Sequence, residues 1–100
     1  MPATTSTVTS VAAATSATTL AAANDARRGL FIYNDSAATL FLKLGTGATT
    51  TSYTVQIAPA GYWEMPTVPS TRNELLGGFS GAVTGVWSSA TGSARVTEVS

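Results

Sequence analysis

One hundred residues make a single-core chain, and this one is neutral, with five basic and five acidic residues and only 10% charged side chains. Having neither cysteine nor histidine, it lacks disulfides, thiol nucleophiles, histidine-based triads and the commonest metal ligand. Its basic residues, Arg27, Arg28, Lys43, Arg72 and Arg95, are scattered, and no apolar run approaches the roughly 20 residues of a membrane span. Neither nucleic acid nor a membrane is therefore an expected partner.

The first 24 residues are almost wholly Ala, Thr, Ser and Val. Residues 1–6 read as a flexible arm, with neither the basic residues nor the apolar core of a secretory signal, so synthesis and assembly in the cytoplasm are expected. The single domain then spans residues 7–100. Thr7 to Ala14 alternates Val with polar residues and predicts a first strand. Thr18 to Ala22 is a second, weaker one anchored by Leu20; its alanines make helix the rival. Gly29 to Tyr33 predicts a buried strand closed by a turn at Asn34, Asp35 and Ser36. Thr39 to Leu44 sets Leu40, Leu42 and Leu44 on one face and Phe41 and Lys43 on the other, and a loop follows to Ser52. Tyr53 to Ile57 and Tyr62 to Met65, joined by Pro59, Ala60 and Gly61, read as a hairpin. Gly81 to Ser88 and Ala94 to Val99 read as a last strand pair around the hairpin loop at Ser89 to Ser93.

The expectation is an all-β chain, a small antiparallel β-sandwich or barrel-like jelly roll of six to seven strands. A long loop at about residues 66–80 interrupts the regular spacing. It carries Arg72, Glu74, Leu75, Leu76 and Phe79, and long connections with apolar residues tend to be functional. Leu75, Leu76 and Phe79 are expected to seat against a neighbouring subunit or a capsid surface, with Arg72 and Glu74 at the rim; a loop folded over its own sheet is the alternative. The Thr- and Ser-rich arm suggests a second contact, by adding backbone to a sheet edge on a neighbour.

Catalytic chemistry has little to stand on. Asp25 and Asp35 each follow an asparagine and read as turn formers, although Asn24, Asp25, Asn34 and Asp35 offer the oxygen ligands of a conceivable calcium site. No carboxylate pair is spaced for acid–base work, and the glycines form no phosphate loop. No catalytic, cofactor or metal residue is assigned. Adjacent strand residues face opposite ways, so only one of Tyr62 and Trp63 can point into the core, and the other is a candidate exposed aromatic. With Tyr33, Tyr53 and Trp87, this pair also suggests a sugar-stacking platform. A surface this poor in charge and rich in Thr, Ser and Ala is suited to touching protein, or is kept soluble by its hydroxyls alone.

The stretch Arg27-Arg28-Gly29-Leu30-Phe31-Ile32-Tyr33-Asn34-Asp35-Ser36, followed by Leu40-Phe41-Leu42-Lys43-Leu44-Gly45, resembles a recurring structural module of tailed bacteriophage virions. The likeness continues through Ser52 to Ile57, Gly61 to Pro66 and Gly85 to Glu98, and departs from the pattern at Thr67 to Ser80, which looks like an insertion. The resemblance implies a virion protein without catalytic residues, standing alone in the head or joined to tail and fibre proteins. It leads to the expectation of a capsid decoration (cement) protein, a homo-oligomer with a trimer as first choice, bound to the major capsid protein. A neck, tail or fibre component, or a module binding a host glycan, is the alternative.

Overall fold

The structure, a computed structural model, describes residues 5–65 and 79–100. Eight strands run β1 (Ser6–Ala12), β2 (Thr18–Ala21), β3 (Gly29–Asp35), β4 (Leu40–Leu44), β5 (Val55–Ile57), β6 (Tyr62–Glu64), β7 (Val83–Trp87) and β8 (Ser93–Val99). They form two four-stranded antiparallel sheets, ordered β1-β8-β3-β6 and β2-β7-β4-β5. Among the described residues there is no helix, so the weak Thr18–Ala22 segment is a strand despite its alanines. Among the described residues the strands number eight, where six to seven were expected for the chain.

One core lies between the sheets. Alternation along β3 turns Leu30, Ile32 and Asn34 inward, all fully buried, while Tyr33 and Asp35 face solvent. Ala94 and Val96 of β8 join them from the same sheet, and Leu20, Leu40, Leu42, Ile57, Val83 and Trp87 close the core from the other. Gly85 belongs to this packing: a Cβ there would lie 2.8 Å from Leu40 Cδ1 and 2.9 Å from Leu20 Cδ1, so only glycine lets those two leucines meet across β7.

Two expected hairpins are instead crossings between sheets. β5 pairs with β4 and β6 with β3, so the Pro59-Ala60-Gly61 turn carries the chain from one sheet to the other. Likewise β7 pairs with β2 and β4, whereas β8 pairs with β1 and β3. The cause of the first is Asn34. Its backbone N–H donates to Gly61 O at 2.8 Å and its C=O accepts from Ala60 N at 2.9 Å, which docks the turn onto the end of β3. Its side-chain amide donates to Ala38 O at 2.7 Å and Ile57 O at 2.9 Å, while Oδ1 accepts from Ser36 Oγ at 2.7 Å and Trp87 Nε1 at 3.2 Å. The second crossing follows from ladder length: β8 finds seven-residue partners in both β1 and β3, longer than a hairpin with five-residue β7 could supply.

The strand boundaries also shift at the edges. Thr5 and Ser6, expected in the arm, pair with Ser100 and Val99. Tyr53 precedes β5 rather than starting it. Replacing Asn34 by Ala removes the buried amide's bonds to Ala38 O and Ile57 O and leaves the Trp87 indole without its acceptor, which should cost about 3 kcal/mol. Urea unfolding monitored by the fluorescence of Trp63 and Trp87 checks this; a midpoint close to wild type would mean the sheets are joined by apolar packing alone.

Candidate interaction surface

The outer faces of the two sheets differ. On the β2-β7-β4-β5 sheet, the residues 45–54 loop covers the outer side of β7. Thr84 Oγ1 donates to Gly45 O at 2.7 Å and accepts from Ala48 N at 3.2 Å, and Ala48 is buried. Tyr53 sets its ring edge-on to Phe41, with centroids 5.1 Å apart. As a result all five residues of β7 are buried.

On the other sheet, no described segment covers the outer face. Register places Val8, Thr97, Phe31 and Glu64 in one row and Ser10, Arg95, Tyr33 and Tyr62 in the next. Val8 is 63% exposed, Tyr62 58% and Tyr33 40%. Phe31 and Tyr62 stack at 6.4 Å with planes 19° apart, which stiffens the two rows into one aromatic patch. Arg95 and Asp35 form an exposed ion pair at 3.4 Å on the same face, an interaction worth little in stability.

Of the two adjacent aromatics, Tyr62 is the exposed one, while Trp63 turns inward and packs, half-buried, against the core. Trp87 is buried and does not join a platform. Phe31 and Tyr33, expected within a buried strand, lie on its outer side. The signal was present in the alternation with Leu30 and Ile32, which a run of large residues disguises.

Arg72, Glu74, Leu75 and Leu76 lie outside the described residues. Phe79 is described, 37% exposed, with its ring against Gly81. Its carbonyl accepts from Arg27 Nη1 at 2.8 Å, and the same guanidinium donates to Gly81 O at 2.9 Å, Ala22 O at 2.6 Å and Glu98 Oε2 at 2.6 Å. The Arg27 side chain is 1% exposed. Every edge of its fork is therefore occupied, and it ties the chain leading into β7 to the ends of β2 and β8. By composition Arg27 looks like one more scattered base; its structural role depends on contacts from residues 52 to 71 positions away.

The polar residues at the turns stay apart. Asn24 Oδ1 accepts from Ala26 N at 3.0 Å, an Asx turn, while Asn34 points into the core and Asp35 toward solvent. Among the described residues no three Asp or Glu side chains gather as a cation site. The arrangement suits contact through a flat, aromatic, weakly charged face.

Tyr62 Oη donates to Glu64 Oε1 at 2.7 Å. That bond, with local desolvation and the Glu64 charge adding to it, holds the phenol above its ordinary value of 10.0, because ionising it would set two anions side by side. The raised value keeps the phenol neutral beyond its ordinary transition at 10.0, so the Glu64 contact is fully present below that pH and is lost as pH rises through the Tyr62 transition. Glu64→Gln should bring the Tyr62 titration back down, read by NMR of the ring Cζ; an unchanged curve would remove Glu64 as the cause. Comparison with known protein families, curated proteins and solved structures finds no match to this chain.

Proposed function

We propose that this chain is a non-enzymatic structural protein of a tailed-bacteriophage virion, a capsid decoration protein that self-associates and binds the major capsid protein. The observation that carries this reading is the outer face of the β1-β8-β3-β6 sheet, which no described segment covers and where Val8, Phe31, Tyr33 and Tyr62 share one surface. Large exposed apolar and aromatic groups grouped on one face mark a contact with another macromolecule.

The sheet orders support it. β1-β8-β3-β6 over β2-β7-β4-β5 is the strand order of an eight-stranded jelly-roll sandwich, an architecture shared by viral capsid domains and lectins. The resemblance of residues 24–98 to phage structural modules points the same way. Cement requires only area: an interface of roughly 1,200 to 2,000 Å², repeated over a shell, stabilises it by mass action and multivalency. The protein would then reside in the virion, after assembly in the host cytoplasm, without contact to nucleic acid or membrane.

A second reading rests on Tyr33 and Tyr62, whose exposed rings suit stacking on a sugar. It describes a host-glycan-binding module of the neck, tail or fibre. Quantitative mass spectrometry of purified virions separates the two placements. A copy number comparable to the major capsid protein is expected; a handful per particle would overturn the decoration reading. Glycan-array binding that is lost on Tyr62→Ala is the outcome the second reading requires, and a silent array would remove it.

A further inference from the structure

An edge strand presents a row of backbone groups without ladder partners, so folded proteins shorten, charge, kink or cover their edges. Four strands flank the two sheets, and three of them are blunted. β2 has four residues and a register shift between Thr19 and Ala21. β5 has three residues, and so does β6, which carries exposed Glu64.

Among the described residues, β1 has none of these devices. Its seven residues, Ser6–Ala12, contain no charge, proline or glycine, keep an unbroken register along β8, and are exposed at every position but Val11. Thr5 and Ser100 exchange both backbone hydrogen bonds at 2.9 Å. Antiparallel alternation then turns Thr7, Thr9 and Val11 toward β8, and aims the N–H and C=O groups of Ser6, Val8, Ser10 and Ala12 away from the sheet.

We propose that β1 pairs antiparallel with β1 of a second copy about a two-fold axis at Thr9, joining two four-stranded sheets into one of eight. In this register Ser6 faces the partner's Ala12 and Val8 faces the partner's Ser10. Every outward backbone group thus meets an outward group. The occupant is another copy because the other flanking strands of this chain are too short to cover seven residues, and because an edge without charge brings no like charges together at the axis. A two-fold contact uses one patch twice, as isologous dimers do. It also sets the two bare faces edge to edge, so that the aromatic patches lie on one doubled surface. The inference does not depend on where in a virion the protein resides, and a two-fold closes on two copies where the sequence led to an expectation of three.

The test uses the full chain in solution. Light scattering should give twice the 10.1 kDa chain mass, and Val8→Pro, which removes one outward N–H and leaves the β8 ladder intact, should halve it while the far-UV circular dichroism stays that of the wild type. Because the chain has no cysteine, Thr9→Cys places a single thiol at the axis. Facing Cα atoms in such a non-hydrogen-bonded pair lie about 4.5 Å apart, within disulfide reach, so mild oxidation should link it as a dimer. Thr7→Cys, which faces the partner's Val11, should remain unlinked. A monomer or trimer at all concentrations, or a Thr9→Cys variant that links no better than Thr7→Cys, would overturn the proposal. Should Val8→Pro fail to fold, the two cysteine variants decide alone.

Discussion

Asn34 is a buried amide whose hydrogen bonds reach both sheets. Its own strand belongs to the β1-β8-β3-β6 sheet, while Ile57 and Trp87, its partners, belong to the other. A polar group taken wholly out of water is stabilising only when its bonding capacity is met, and then it fixes geometry in a way apolar contacts do not. Here it determines that the chain after β5 turns across the core and enters the opposite sheet.

Arg27 plays the matching part just before the other end of β3. Its guanidinium gathers Ala22, Phe79, Gly81 and Glu98, so the loops entering β3 and β7 are tied to β8. A buried Arg–Glu pair is weak evidence for stability, because desolvation offsets much of its attraction. Its value here is positional, since the same fork binds one carbonyl of its own connection, Ala22, and two of the distant segment that leads into β7, Phe79 and Gly81. Between the two polar nodes the core is apolar, and β3 is the element both nodes hold.

With its two ends held, the chain can leave one outer face bare. The loop after β4 covers the outer side of β7 through Thr84, Ala48 and Tyr53, whereas Phe31, Tyr33 and Tyr62 on the other sheet have no such cover among the described residues. Any contact surface of the protein follows from that asymmetry more than from any single reactive group.

Much of this was legible in the residues. Period-two alternation marked the strands, because an inward Leu or Ile at every second position is the direct signature of a half-buried strand. The same rule showed that one of Tyr62 and Trp63 had to face outward. Partner choice was not legible: a turn such as Pro59-Ala60-Gly61 fits a hairpin and a crossing equally well, since both need only a tight reversal. Only the packed structure decided between them, through Asn34, and only it raised Arg27 from a scattered base to a clamp and showed Phe31 and Tyr33 on an uncovered face. Alternation is a local property written in neighbouring residues, whereas strand order and burial of an outer face depend on contacts tens of residues apart, which no window along the chain contains.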